Sequence, residues 1–172
     1  MSGARRPQGT PAIVALTAAG CEFTVHEFDH EPSGRNYGVE AADALGVEHD
    51  RVFKTLLADA HGMSGSARPV DQVVGIVPVA GQLSLRQLAA AVSAKRAEMC
   101  KPEVAERLTG YVVGGISPFG QKRRLATVID ETCELWDTIF VSGGRRGLDV
   151  EVTPQALVAL LDATVADIAG ER

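Results

Sequence analysis

The sequence predicts a mixed α+β fold, with a barrel-like mixed sheet flanked by helices. Short segments with strand character outnumber the helical ones, and the two kinds do not alternate regularly along the chain. Regular alternation would have favoured a doubly wound sheet. A length of 172 residues suits a single hydrophobic core, and the sequence contains no internal repeat or linker. We therefore expect a loose tail over residues 1–9 and one domain over residues 10–172.

Helix boundaries are marked by hydroxyl caps, prolines and glycines. Thr10-Pro11 and Thr153-Pro154 each combine a capping threonine with a proline at the first helical position. Glycines past the last helical residue are typical helix ends. The predicted helices run from Pro11 to Gly20, through Glu40–Leu45, from Ser84 through Val92, from Pro102 to near Gly110, and from Pro154 through Leu161.

Other segments have the alternating or continuous apolar pattern of strands. They are Glu22–Phe28, Val52–Leu57, Val73–Val79, Tyr111–Val113, Thr127–Asp130, Thr138–Ser142 and Leu148–Val152. Residues 29–36 are predicted to form a loop. The segment His61–Val70, rich in glycine and serine, is predicted to form a flexible hairpin tip.

The net charge restricts how this chain can bind nucleic acid. It is −5 at pH 7, which excludes a broad cationic face for phosphates. Aromatic residues make up 5% of the chain, too few for a base-stacking platform. Positive charge is concentrated in two clusters, Lys122-Arg123-Arg124 and Arg145-Arg146. Each cluster is either a solvated surface patch or a place that meets phosphates.

The cysteines and histidines follow no disulfide or metal-binding pattern. Cys21, Cys100 and Cys133 are odd in number and far apart, which is typical of reduced thiols in a cytoplasmic protein. The four histidines lack zinc-ligand spacing with the cysteines. No apolar run is long enough to span a membrane. We therefore expect a cytoplasmic protein that uses neither a metal nor a cofactor and contacts no membrane.

Lys54 is the first candidate functional residue. It interrupts the apolar run Val52–Leu57, and an ammonium in such a strand needs water, a partner or a ligand. The alternative is a lysine that only reaches solvent at a strand end.

The segment Gly114–Gly120 is the second candidate. Its three glycines and one proline surround Ile116 and Ser117, so backbone N–H groups there are available for a carbonyl oxygen, an oxyanion or a phosphate. It matches neither the P-loop nor the dinucleotide fingerprint. A plain structural turn is the alternative.

The third candidate is the segment from Ser142 to Asp149, which reads as a hairpin with a basic tip. The sequence contains no G-x-S-x-G nucleophile elbow. The residues therefore indicate a site of lysine and backbone groups without an evident nucleophile, and they do not by themselves define a reaction.

Three segments resemble the YbaK/EbsC family of trans-acting aminoacyl-tRNA editing proteins, relatives of the editing domain of bacterial prolyl-tRNA synthetases. They are Phe53–Leu57, Thr109–Lys122 and Val141–Leu148, with further similarity at Pro78–Leu83 and Lys95–Met99. The resemblance extends from about Thr10 to about Ala169. It implies the barrel-like α+β fold of that editing domain and hydrolysis of an aminoacyl ester on the tRNA 3′ end. The substrate that it implies is Cys-tRNA(Pro).

The resemblance also implies a site. The family's essential lysine matches Lys54, and its Gly-x-x-x-Pro loop matches Gly114, Gly115, Ile116, Ser117 and Pro118, to which we assign catalysis. Substrate binding is assigned to Phe28, Thr55, Ser142, Gly143, Gly144 and Asp149. Contact with tRNA is assigned to Lys122, Arg123, Arg124, Arg145 and Arg146. Relatives often have a tyrosine where this chain has Phe28, so the role of that hydroxyl is absent or supplied elsewhere.

The chemistry implied by the resemblance is substrate-assisted, since the cysteine thiol of the substrate attacks its own ester carbonyl. In this hypothesis, backbone N–H groups of Gly114–Ser117 bind the carbonyl oxygen. Lys54 binds the terminal adenosine or its phosphate, and Asp149 binds the α-ammonium group. The implied partners are aminoacylated tRNA and prolyl-tRNA synthetase. Two alternatives stay open, namely deacylation of Ala-tRNA(Pro) or another small aminoacyl-tRNA, and a non-catalytic module that binds tRNA ends or nucleotides.

Overall fold

A computed structural model describes residues 9–30 and 36–170 of the chain. The predicted N-terminal tail, apart from Gly9, and most of the predicted loop at 29–36 lie outside the described residues. Within them, the helices are α1 (Pro11–Ala18), α2 (Tyr37–Leu45), α3 (Leu85–Ala91), α4 (Pro102–Thr109) and α5 (Pro154–Leu161), with short 3-10 helices at His49–Arg51 and Glu131–Leu135. None of these helices is long and apolar enough to cross a membrane.

The strands of the described residues are short except for one hairpin. They are β1 (Thr24–Glu27), β2 (Phe53–His61), β3 (Val70–Pro78), β4 (Gln82–Leu83), β5 (Arg96–Met99), β6 (Ala126–Asp130), β7 (Ile139–Arg145), β8 (Leu148–Val152), β9 (Thr164–Ala166) and β10 (Ala169–Gly170).

The helix signals of the sequence act as predicted. The Thr10 and Thr153 hydroxyls accept hydrogen bonds from the N–H groups of Ile13 and Ala156, and Ser84 caps α3 in the same way. α2 begins earlier than predicted, at Tyr37, because the side chain of Asn36 caps it.

The strands form a mixed architecture. A five-stranded sheet has the order β5-β2-β3-β6-β9, a three-stranded sheet has the order β1-β8-β7, and β10 pairs with β4. The β3–β6 and β6–β9 pairs are parallel and the others antiparallel. The mixed α+β prediction is confirmed, but the strand pairings over residues 9–30 and 36–170 do not close into a barrel.

Among the described residues, backbone pairing joins the two larger sheets at one point. A single parallel bridge joins Val52, just before β2, to Phe140 in β7. Beyond this bridge the two strands pair with other partners only. β2 and β7 therefore run side by side at one end and separate at the other.

Each face of β2 contributes to a different hydrophobic cluster. Phe53 and Leu57 belong to the main core, which α1, α4, α5, β7 and β8 also form. Ala58 and Ala60 have the opposite parity and pack in a second cluster with Leu88 of α3. The strand is thus covered on both faces, which fixes its position beside β7.

One predicted strand is wrong, and several short ones were missed. Tyr111–Val113 forms a turn, since the buried Tyr111 hydroxyl donates to the Phe119 carbonyl at 2.6 Å and closes the loop between them. β4, β5, β9 and β10 contain two to four residues each, too few to show a periodic pattern.

Candidate active site

A cavity of about 360 Å³ lies where β2 and β7 separate. β2 lines one side with Phe53–Leu57, and the β7–β8 hairpin lines the other. Of the predicted site residues, nine line this cavity: Phe28, Lys54, Thr55, Gly114, Ile116, Ser142, Arg145, Arg146 and Asp149. The fold therefore brings segments that are far apart in sequence together around one cavity, which lies between these two strands.

Thr55 lines this cavity, and its polar groups have no partner among residues 9–30 and 36–170. Val79 N–H donates to Val52 on the β3 side, and Cys100 N–H donates to Leu57 on the other side. Because backbone groups alternate along an antiparallel strand, those of Thr55 point away from β3. β5 pairs with β2 only from Ala58 to His61, so it does not cover them. The Thr55 hydroxyl is buried and has no hydrogen-bond partner in the described part of the chain.

Lys54 is partly buried on the same strand. Desolvation lowers the pKa of its ammonium below the ordinary value of 10.5. Within the described residues it makes no ion pair or hydrogen bond. Lys54 also borders a second, adjoining cavity of about 470 Å³, which Asn36 and His49 line as well. Its ammonium is thus available to a ligand in either space.

Asp149 faces the cavity from β8, the middle strand of the three-stranded sheet. It lies between Ser142 of β7 and His26 of β1 in the strand register. The residue is 6% exposed, and desolvation raises the pKa of its carboxyl from 3.8 to about 7. No side chain or backbone group among residues 9–30 and 36–170 forms a hydrogen bond with that carboxyl. Such a group is a candidate binding partner for a cationic ligand.

The glycine loop lines the cavity with two residues whose backbone N–H groups have no acceptor within the described part of the chain, Gly114 and Ile116. Gly115 N–H donates to the Val112 carbonyl at 2.9 Å and closes a turn. Gly114 has φ +89°, a conformation that glycine adopts without strain.

The rest of the Gly-x-x-x-Pro loop is structural. Ser117 is fully buried, and its hydroxyl accepts from Phe119 N–H at 3.2 Å. Its carbonyl accepts from the Gln121 side chain at 3.0 Å. Pro118 is buried and lines a different cavity. Gly115, Ser117 and Pro118 therefore shape the loop without lining the cavity, so a catalytic role for each remains a prediction.

The segment Ser142–Gly144 lies within β7, where the register with β8 shifts, and not in a turn between the strands as predicted. It contributes one cavity-lining residue, Ser142. The Ser142 hydroxyl accepts from Gly144 N–H at 3.1 Å, and the Thr10 hydroxyl donates to the Gly143 carbonyl. Gly144 has φ +107° and packs against Tyr111 and Thr10. Phe28 lies beside this hairpin, since its N–H donates to the Gly147 carbonyl at 2.9 Å. Gly143 and Gly144 thus hold the hairpin in place.

The two basic clusters lie in different places. Arg145 and Arg146 line the cavity. Lys122, Arg123 and Arg124 are exposed, and the two arginines border another cavity, next to the end of α5. The structure therefore does not bring the two clusters together at one cavity.

Sequence reasoning missed the contribution of α2. Asn36, Tyr37 and Gly38, at the start of this helix, line the cavity. The Asn36 cap was a readable signal, but it follows a polar stretch without periodicity. Cys100 also lines the cavity, and burial raises the pKa of its thiol to about 11, so it is not an activated nucleophile. No group of three or more potential metal ligands occurs in the described part of the chain.

Comparisons with known proteins identify the family of this chain. The family model described as "Aminoacyl-tRNA editing domain" matches residues 31–160. A protein of Enterococcus faecalis named "Putative Cys-tRNA(Pro)/Cys-tRNA(Cys) deacylase EbsC" is 35% identical over 127 residues, which cover 74% of this chain and 73% of that protein.

Solved structures share the fold. One described as a "putative trans-editing enzyme for prolyl tRNA synthetase" is 25% identical, with a TM-score of 0.77 over 94% of this chain and 96% of that chain. A structure of a hypothetical protein, 21% identical, has a TM-score of 0.78 over 93% and 99% of the two chains, and shows the fold alone. From the match to residues 31–160 and the 35% identity, the chain belongs to the aminoacyl-tRNA editing domain family, whose members are deacylases.

Proposed function

We propose that this protein removes cysteine from Cys-tRNA(Pro) by a substrate-assisted reaction in the cavity between β2 and β7. One observation carries the proposal: Gly114 and Ile116, whose N–H groups have no acceptor among residues 9–30 and 36–170, line the same cavity as Lys54 and Asp149. This set can bind a carbonyl oxygen, an anionic group and a cation, which are the three polar parts of an aminoacyl nucleotide.

The reaction needs no nucleophile from the protein. The substrate thiol attacks the ester carbonyl carbon, the C–O bond to the ribose breaks, and the ribose oxygen takes up a proton. The products are free tRNA and a cysteine thiolactone, which water then opens. Among the described cavity residues, Cys100 has a pKa of about 11, and the Ser142 hydroxyl accepts a hydrogen bond from Gly144. Burial, and then the Asp59 carboxylate to which the Cys100 thiol is hydrogen-bonded, keep this thiol protonated. No base among the described residues is paired with the Ser142 hydroxyl, and both facts support a substrate nucleophile.

The backbone N–H groups would stabilise the oxyanion. Charge develops on the carbonyl oxygen during attack, and donors fixed in advance are worth most for that charge. The site also orients the thiol relative to the carbonyl, which can contribute roughly 7–11 kcal/mol in favourable cases. An aminoacyl ester is already activated, so these two effects are sufficient.

Lys54 and Asp149 would anchor the two ends of the aminoacyl nucleotide. Lys54 binds the terminal adenosine or its phosphate, because its ammonium is partly buried and unpaired within residues 9–30 and 36–170. Asp149 binds the α-ammonium of the amino acid. A positive charge next to this buried carboxyl would lower its pKa from about 7 and favour the ionised pair.

The tRNA is expected to reach the site with help. The charge of −5 disfavours tight binding of free tRNA. Prolyl-tRNA synthetase is the proposed partner, since it is the source of mischarged tRNA(Pro), and the cytoplasm is the proposed location. Binding to bare tRNA is then weak and salt-sensitive.

The test is a deacylation time course with Cys-tRNA(Pro), Ala-tRNA(Pro) and Pro-tRNA(Pro), with and without prolyl-tRNA synthetase. Rapid loss of cysteine with formation of the thiolactone supports the proposal. Loss of alanine alone would move the substrate assignment to Ala-tRNA(Pro). Binding of the tRNA end without loss of any ester would instead favour a non-catalytic module.

A further inference from the structure

The guanidinium of Arg146 is bonded to the glycine loop. Its Nε and Nη2 groups both donate to the Val113 carbonyl, at 3.0 and 2.7 Å. On the other side of the same residue, Val113 N–H donates to Glu106 Oε2 of α4 at 2.9 Å. Val113 is therefore held from both sides although it lies on an exposed turn.

These bonds determine where the Gly114 N–H points. The Val113 carbonyl and the Gly114 N–H belong to one planar trans peptide, so the two groups point in opposite directions. Fixing the carbonyl on Arg146 therefore fixes the N–H on the opposite side. That N–H has no acceptor among the described residues.

Tyr37 supports the guanidinium and the loop together. The Arg146 Cζ atom lies 4.5 Å from the centroid of the Tyr37 ring, within the range of a cation–π contact. The same ring packs against Gly114, where a β-carbon would lie 2.6 Å from Tyr37 Cδ2. The start of α2, the hairpin tip and the glycine loop thus meet in one cluster, formed by Tyr37, Arg146, Val113 and Gly114.

We infer that Arg146 is a positioning residue: it holds the Val113–Gly114 peptide so that the Gly114 N–H is directed into the cavity. The inference rests on the proposed function and extends it to a residue that the sequence assigned to tRNA. Two of the five guanidinium N–H groups of Arg146, on Nε and Nη2, already donate to the Val113 carbonyl, so only three are left for a phosphate. Its neighbour Arg145 also lines the cavity but makes no bond to the glycine loop, and it pairs with Glu27 at 3.2 Å on the surface.

The two roles of an arginine here have different kinetic signatures. A misplaced oxyanion donor lowers the rate at saturation, since it acts on the transition state. Removal of a charge that binds phosphate weakens binding and reduces its dependence on salt. The experiment is therefore a single-turnover deacylation of Cys-tRNA(Pro) over a range of enzyme and salt concentrations, with wild type, Arg146→Ala, Arg146→Lys and Arg145→Ala.

For Arg146→Ala we expect the saturating rate to fall roughly tenfold to a hundredfold while the half-saturating concentration and its salt dependence stay within about twofold of wild type. Arg146→Lys should recover part of the rate, because lysine can still donate one bond to Val113 and lie over Tyr37. Arg145→Ala is the comparison for charge and should change the half-saturating concentration instead. An unchanged saturating rate in Arg146→Ala, or a change confined to half-saturation and salt dependence, would overturn the inference.

A second readout does not depend on activity. In ¹⁵N-labelled protein, the Gly114 and Gly115 amide resonances should shift or broaden in Arg146→Ala, and less so in Arg146→Lys, while core resonances stay unchanged. If Arg146→Ala folds poorly, Tyr37→Leu replaces it in this test, because it removes the ring beneath the guanidinium and keeps the arginine. Tyr37→Leu should shift or broaden the same two resonances. If wild type deacylates nothing, the proposed function fails by itself, and the resonances still decide the role of Arg146. Unchanged glycine resonances in both variants would reject it.

Discussion

Gly115 lies directly against the backbone of Arg145. A β-carbon at Gly115 would be 2.8 Å from the Arg145 Cα and 2.9 Å from the Arg146 nitrogen. These neighbours are main-chain atoms of the β7–β8 hairpin, so they cannot move aside as the end of a flexible side chain does. The contact sets the distance between the glycine loop and the hairpin, which line the same cavity.

The first prediction concerns this contact. Gly115→Ala should destabilise the fold by about 1–3 kcal/mol, the usual cost of overpacking, and lower the deacylation rate, because the loop must shift from the hairpin. Urea unfolding and single-turnover rates measure the two effects. Gly81→Ala is the matched control for stability, since a β-carbon there meets nothing closer than 3.9 Å. Equal stability of the two variants would contradict the close contact.

The second prediction separates the charge of Lys54 from its packing. Lys54→Met keeps an unbranched stem of similar length and should abolish turnover. Its stability should equal or exceed that of wild type, because burial lowers the pKa of Lys54 and the charged form is therefore disfavoured in the folded state. Thermal unfolding and the Cys-tRNA(Pro) time course measure both properties. A variant with normal turnover would remove Lys54 from the site.

Much of the fold and of the site follows from local signals in the sequence. The Thr10 and Thr153 caps and the continuous apolar run at Val52–Leu57 are local features, and the corresponding elements form. Lys54 was identifiable because a lysine in such a run is unusual. These signals involve residues a few positions apart, which is the range over which capping and periodicity act.

The rest depends on contacts between distant segments. Nothing near Arg146 in the sequence indicates that its guanidinium bonds to Val113, 33 residues away. The turn at Tyr111–Val113 is apolar enough to imitate a strand, and the buried Tyr111 hydroxyl overrides that tendency by bonding to Phe119. The separation of β2 and β7, which creates the cavity, also has no local signature.

The third prediction concerns Asp149 and pH. The pKa of its carboxyl is about 7 in the folded protein against 3.8 as an ordinary value. Between these values the folded state keeps a proton that the unfolded state has released, so stability falls as pH rises from about 4 to about 7 and then levels off. The other titratable or charged residues that line the cavity are His30, Tyr37, Glu40, Lys54, Cys100, Arg145 and Arg146.

Asp149→Asn should therefore be more stable than wild type at pH 8, by at most about 4 kcal/mol, and nearly equal to it at pH 4. Glu151→Gln is a control of opposite sign. The pKa of Glu151 is lowered by a hydrogen bond from Thr138 and then by His26 and Arg51. Replacing this carboxylate should therefore destabilise the protein at neutral pH and have a smaller effect in acid. Urea unfolding at several pH values measures both. A stability difference for Asp149→Asn that does not grow with pH would contradict a buried, protonated carboxyl.

The fourth prediction concerns the basic cluster outside the cavity. Lys122, Arg123 and Arg124 are exposed and none of the three lines the cavity with Lys54, so replacing all three with alanine should leave the saturating rate unchanged. If these three residues bind tRNA phosphates, the half-saturating concentration of the triple variant rises. The slope of log affinity against log salt concentration also becomes less steep, by about 0.7–0.9 for each phosphate that the variant no longer neutralises. Asp137→Ala with Glu134→Ala, two surface charges of the opposite sign, is a control for net charge. An unchanged salt dependence in the triple variant would assign these residues to solvent, and tRNA binding would then rest on the hairpin and on the synthetase.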